Sequence, residues 1–253
     1  MALLAGAAVG TLGGLIGLGG AEFRLPLLIG LFGFVALQAV VLNKATSLVV
    51  VASALLFRTK AVPLEALGEH WTIAANLLCG SLVGAWFGAS WATRMKSRTL
   101  YRTLAVLLVF IAIVLLVGHK AATARPLLEG PGQWVAGVAA GFGIGVVASI
   151  MGVAGGELLI PTLVLLFGLD VKLAGSMSLA VSLPTMLVAF FRYSRHQAFD
   201  VVRTHWLFVL AMAIGSVIGT GIGGNLLGIV PGGLLLPLLA LILVISSVKV
   251  WRH

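Results

Sequence analysis

Two stretches of the chain, "GLGGAEFRLP" at 17–26 and "GVAGGELLIP" at 152–161, place a glycine pair, a glutamate and a later proline inside long apolar runs. A glycine loop in such a setting exposes backbone N–H groups that need partners. The helix that follows points its partially positive N-terminus at the loop. Gly19, Gly20, Gly155 and Gly156 therefore form the first candidate site, and an anion would find backbone donors there. Glu22 and Glu157 stand at the two helix starts. A carboxylate there either caps the helix or, as an ionisable group inside a membrane, exchanges protons. The residues leave both readings open.

Arg24 has no counterpart, because Leu159 takes its place in the second stretch. An arginine at this depth costs about 2.5–3.5 kcal/mol on insertion scales, so it should not face lipid. It would reach Glu157 or a substrate, or else snorkel to an interface. Hydroxyls complete the set. "NKATSLVV" (43–50) brings Thr46 and Ser47, and "AGSMSLAV" (174–181) brings Ser176 and Ser178. Both stretches read as helix starts, where a hydroxyl caps the helix or faces a substrate. Ser182, Pro184 and Thr185 add polarity and an expected kink in the second copy alone.

The elements that must hold these residues are apolar. The chain has 253 residues, 60% hydrophobic and 9% charged, with mean hydropathy +1.18. A soluble domain has about 25% charged residues, so this composition cannot cover a globule with polar surface. The runs are long and do not alternate, which predicts helices rather than barrel strands. At about 20 residues per span, the length holds roughly eight to ten segments. The expected fold is an all-α polytopic membrane protein. The N-terminal segment lacks a basic flank and is not read as a cleaved signal. The single cysteine, Cys79, excludes an intramolecular disulfide and reads as a small packing residue.

The chain also repeats itself. At an offset of 135 residues, Gly6, Gly10, Gly17, Gly20, Glu22 and Pro26 meet Gly141, Gly145, Gly152, Gly155, Glu157 and Pro161. The register slips by four around Ser47 and Ser178, then recovers at His70-Trp71 and His205-Trp206. This divides the chain into a first repeat at 1–118, a linker at 119–133 and a second repeat at 134–253. Segments are predicted near 2–17, 22–33, 43–58, 70–92 and 100–118, then near 134–151, 157–168, 175–192, 204–226 and 232–251. The second segment of each repeat, about 18 Å long at 1.5 Å per residue, is too short for a hydrocarbon core of about 30 Å. Each should pair with the segment before it as a helix, glycine loop and short helix whose loop lies inside the membrane.

An odd net number of crossings per repeat makes the two repeats inverted. Charge supports this: the fourth-to-fifth loop carries Arg94, Lys96, Arg98 and Arg102 in one repeat and nothing charged in the other. Placing those arginines in the cytoplasm puts ten Lys/Arg inside and five outside, with Arg24 in the membrane and both termini cytoplasmic. The net charge of +9 is then a topology signal, and no nucleic-acid partner follows from it. Gly6, Gly10 and Gly14, Gly80, Gly84 and Gly88, Gly141 and Gly145, and Gly215, Gly219 and Gly223 recur every four residues and should let helix backbones approach closely. The histidines show no metal-ligand spacing. No Walker motif or nucleophile elbow appears, so an ATPase or standard hydrolase is disfavoured.

At "GLGGAEFRLPLLIGLFG" followed by "ATSL", and at "GVAGGELLIPTLVLLFGLDVKLAGSMSL", the chain resembles the sulfite exporter TauE/SafE family of membrane permeases. Where the family pattern often shows three glycines, each copy here has two beside Ala21 or Ala154. The resemblance implies transport of sulfite, sulfonates or related organosulfur anions in a bacterial cytoplasmic membrane. The partners implied are a small anion and membrane lipid, with no cofactor and no metal, and the oligomeric state is left open. Two tips of inverted repeats meeting near the midplane would make a secondary-transporter site. The alternatives are a permease for metal cations or neutral solutes, with the two glutamates as ligands, and a non-transporting membrane scaffold.

Overall fold

The computed structural model describes residues 1–15, 20–58, 64–118, 127–226 and 232–252. All its regular elements there are helical: α1 (Ala2–Leu15), α2 (Ala21–Gly30), α3 (Ala36–Arg58), α4 (Leu64–Glu69), α5 (Trp71–Arg94), α6 (Ser97–Gly118), α7 (Pro131–Met151), α8 (Gly156–Phe167), α9 (Val171–Ser194), α10 (Asp200–Thr204), α11 (Trp206–Leu226) and α12 (Gly232–Trp251), with one 3₁₀ turn at Gln197–Phe199. Among the described residues six helices, α3, α5, α6, α7, α9 and α11, are long and apolar enough to cross a bilayer. The chain is an all-α polytopic membrane protein, as composition predicts.

Glycine explains where the helices stop. Gly152 takes φ 71° at the end of α7, and its N–H and that of Val153 close on Ser149 and Ala148 carbonyls. This left-handed cap ends the helix at little steric cost. Gly20 (φ 66°) and Gly155 (φ 84°) then open the short helices α2 and α8. Pro131 begins α7 inside the stretch read as linker, because a proline at the first helical position loses no intrahelical bond.

Both short helices fold back along the helix before them. At α8 the return is marked by Gln133 Nε2 donating to Leu166 O at 2.6 Å, Leu127 N donating to Leu165 O at 2.8 Å, and edge-on contact of Trp134 with Phe167. At the end of α2, Phe32 and Phe34 meet Phe208 near the start of α11, the helix whose first turns lie beside the start of α1. The starts of α3, α6 and α11 gather at this end of the bundle: Ala36 N donates to Tyr101 Oη at 3.1 Å, and Phe34 stacks edge-on against His205. The ends of α5 and α9 join there through Arg192 Nε on Ser90 Oγ at 2.7 Å, and the end of α12 through Arg102 over Trp251.

The longest contacts are made by the glycine stripes. A Cβ at Gly80, Gly84 or Gly88 would fall on the carbonyls of Val138, Phe142 and Val146, so α5 and α7 run side by side in the same direction. A Cβ at Gly215, Gly219 or Gly223 would fall on the carbonyls of Leu3, Ala7 and Thr11, which sets α11 against α1 in the same way. The first helix of each half therefore packs on the fourth segment of the other. Exchanging the halves preserves the main neighbours: α2 touches α3 and α12 as α8 touches α9 and α6, and α3 touches α9.

Three sequence expectations need correction. α3 and α9 begin at 36 and 171 rather than near 43 and 175. Thr46, Ser47, Ser176 and Ser178 are therefore inside helices, not at their starts. Lys44, counted among the loop cations, is buried in α3 at 1% exposure. Cys79 does not pack but lies on the exposed face of α5.

The glycine contacts give a paired prediction. Gly84→Ala and Gly219→Ala drive a methyl into backbone that cannot swing aside, and each should lower stability by about 1–3 kcal/mol. Gly143→Ala and Gly221→Ala meet nothing within 4 Å and should be neutral or slightly stabilising. Thermal unfolding in detergent measures all four.

Candidate functional site

Arg24 is fully buried in α2, where lipid and water are both out of reach and its N–H groups need protein acceptors. One terminal nitrogen donates to Asn43 Oδ1 at 3.2 Å and Ser47 Oγ at 2.9 Å, and the other to Ser216 Oγ at 3.0 Å. The guanidinium thus ties α2 to α3 and to α11 of the second half. It does not pair with Glu157: among the described residues the only carboxylate within 4.0 Å of a basic nitrogen is the exposed Asp200–Arg203 pair.

Asn43 connects the two tips. Its Nδ2 donates to Ala21 O at 3.0 Å, in the first turn of α2, and to Met151 O at 3.3 Å, at the last residue of α7. Its neighbour Lys44 sends Nζ to Ala148 O at 3.0 Å and Val153 O at 2.7 Å. A cation at a helix C-terminus meets the negative end of the helix dipole, and Lys44 does so for α7. A Cβ at Gly152 would fall on Val40 O, so only glycine lets this tip sit so close to α3. The paired tips are held by one helix, α3, through two adjacent side chains.

The glutamates behave differently from caps. Both carboxyl oxygens of Glu22 and one of Glu157 are buried without a hydrogen-bond partner. Glu22 is 1% exposed and Glu157 5%. Gly20 and Gly155 cap with backbone alone: Gly20 O accepts from Phe23 and Arg24, and Gly155 O from Leu158 and Leu159. The N–H groups that precede these, of Ala21 and Glu22 and of Gly156 and Glu157, have no acceptor within their own helix. Gly156 is the buried first residue of α8. Gly19 lies outside the described residues. Among the hydroxyls, Ser47 accepts from Arg24, Thr46 bonds back to Leu42 O at 2.9 Å and Ser178 to Gly175 O at 2.8 Å, while Ser176 Oγ is buried without a partner.

A family model described as sulfite exporter TauE/SafE matches residues 2–250. The chain belongs to this family. No curated protein and no solved structure matches it. The TauE/SafE family is one of membrane transporters for sulfite or related anions, and the chain is an integral membrane protein of that kind.

Within this TauE/SafE chain, the sequence singles out Arg24, the glutamates and the glycine loops as candidates, and the contacts add Asn43, Lys44 and Ser216. The signal for Asn43 and Lys44 was present: two adjacent polar residues inside an apolar run. They were absorbed into a presumed helix start. No local pattern reveals that Ser216 accepts from an arginine 192 residues away. Ser81 itself pairs with Thr185 Oγ1 at 2.7 Å.

These contacts rank the expected losses. Arg24→Met leaves three polar partners buried and should cost about 3–5 kcal/mol, the range for breaking a buried charged network. Asn43→Leu strips donors from two tip carbonyls, at about 1–3 kcal/mol each. Ser216→Ala removes one acceptor and should cost least. Unfolding midpoints of the three purified variants test the order.

Proposed function

We propose that this protein is a secondary transporter of a small anion, sulfite, a sulfonate or a related organosulfur anion, working by alternating access between two inverted repeats. The observation that carries the reading is Asn43, one side chain hydrogen-bonded to both interrupted-helix tips, with a buried carboxyl oxygen that lacks a partner at each helix start. In transporters of this architecture the binding site lies where such half-helices from two repeats face each other. The exchange of neighbours between the halves, and the gathering of the starts of α3 and α11 with the ends of α5 and α9 at one end of the bundle, support the inverted arrangement.

In this reading the anion is held by first-turn N–H groups around Gly20 and Gly155–Gly156, with Ser47, Ser176 and the charge of Arg24 nearby; Thr46 and Ser178 belong to the helix segments around it. Glu22 and Glu157 carry protons, and a protonated carboxyl removes the repulsion an anion would otherwise meet. The end that carries Arg94, Lys96, Arg98, Arg102, Arg195 and Arg203 faces the cytoplasm, with both termini, in a bacterial inner membrane. The repeats are 1–118 and 134–253.

Proteoliposomes test this directly. Sulfite or methanesulfonate should accumulate in response to a pH gradient and not in protein-free vesicles. Glu22→Gln and Glu157→Gln should each lower gradient-driven flux by roughly 5- to 150-fold, the span of ordinary coupling free energies, while the protein remains monodisperse. Gradient-driven flux unchanged in both variants would remove the proton role. Absence of flux for any organosulfur anion would remove the transport reading and favour a scaffold.

A further inference from the structure

Among the described residues, the charged side chains that are buried are four: Glu22, Arg24, Lys44 and Glu157. Glu22, Arg24 and Glu157 sit in the first turns of α2 and α8, and Lys44 reaches the second tip with its Nζ. Two are cations held by fixed hydrogen bonds, Arg24 to side chains and Lys44 to main-chain carbonyls. Two are carboxyls with oxygens that no protein donor satisfies. The helices packed on α2 and α8 add little charge. α1, α7 and α11 contain no Asp, Glu, Lys or Arg. Lys249 of α12 lies against Gly30, at the far end of α2 from Glu22. On α9, Tyr193 donates to Ser149 O at 2.9 Å, and Lys172 and Arg192 stand near its two ends. The basic residues of α6 that are described, Arg98 and Arg102, and Tyr101 stand in its first turns.

With both carboxyls ionised, the set sums to zero. An unbalanced charge in a low-dielectric interior is expensive, so an anion cannot enter a balanced core alone. It can enter if each negative charge it brings is matched by a proton taken up by a carboxylate, –COO⁻ plus H⁺ giving –COOH. The core holds two such acceptors and so accommodates a mono- or dianion. We propose that Arg24, Lys44, Glu22 and Glu157 form a charge-balanced set that makes transport electroneutral, one proton carried with each negative charge of the anion. This rests on the transporter reading above. It gives Lys44, which touches no carboxylate, a positioning and charge-setting role.

The test uses methanesulfonate, a permanent monoanion, with the full-length protein in proteoliposomes. An internal pH dye should report one proton per anion. Flux should be insensitive to a potential set by potassium and valinomycin. A potential of about 100 mV acts on one charge with about 2.3 kcal/mol, so electrogenic carriage would shift the accumulation ratio by about 50-fold. Glu157→Gln leaves the empty core at +1, and its monoanion flux should become potential-driven and proton-free. Lys44→Met combined with Glu157→Gln restores zero, and proton coupling through Glu22 should return. Wild-type flux that follows the potential without proton uptake overturns this inference and leaves the transporter reading intact. Absence of flux for both methanesulfonate and sulfite overturns both. Where a variant is not monodisperse, the wild-type proton count and potential dependence decide the matter alone.

Discussion

Polar groups removed from water must be satisfied within the protein, and in this chain that constraint falls on the two places where a helix breaks inside the bundle. Each break leaves carbonyls at the end of one helix and N–H groups at the start of the next. The carbonyl side of the second break is answered by α3. Asn43 and Lys44 between them donate to the carbonyls of Ala148, Met151 and Val153, and Asn43 donates also to Ala21 at the first break. On the donor side Gly20 O and Gly155 O take up the N–H groups of Phe23 and Leu158. The bonds from Asn43 and Lys44 hold both breaks against α3. The glycine stripes serve the same end by setting α1 on α11 and α7 on α5, which brings both breaks into one body.

The pseudo-symmetry of the contacts is not matched by symmetry of charge. Leu159 stands where Arg24 does, and with the four-residue slip Ala174 and Gly175 stand where Asn43 and Lys44 do. Both buried cations and the bridging amide thus belong to the first half, while each half keeps one glutamate. Where the second half lacks an arginine, Ser81 and Thr185 satisfy each other instead. The backbone framework is common to both halves, and the fixed positive charge is a property of one. The fixed positive charge around the two tips is therefore one-sided, set by α2 and α3.

Much of this was legible in the residues, for physical reasons. Glycine spacing of four marks a helix face wherever it occurs, but the helix across each stripe is set by the fold and not by the spacing. Long apolar runs bounded by charge locate membrane helices well, and eight of the ten segment starts lie within about three residues of those read from sequence. The two large misses were the starts of α3 and α9, and both came from treating polarity as exposure. "NKATS" looks like the edge of a span because Asn and Lys are costly in lipid. Inside the bundle they meet carbonyls rather than lipid, which local composition cannot show. The four-residue slip has a related origin. Ser47 lies eleven residues beyond the start of α3 and Ser178 seven beyond the start of α9. The difference is close to one helical turn of 3.6 residues, so the two serines keep the same facing although the loops before them differ. An added turn disturbs the alignment and preserves the side-chain direction. The repeat was therefore readable through its faces where it was broken in its numbering.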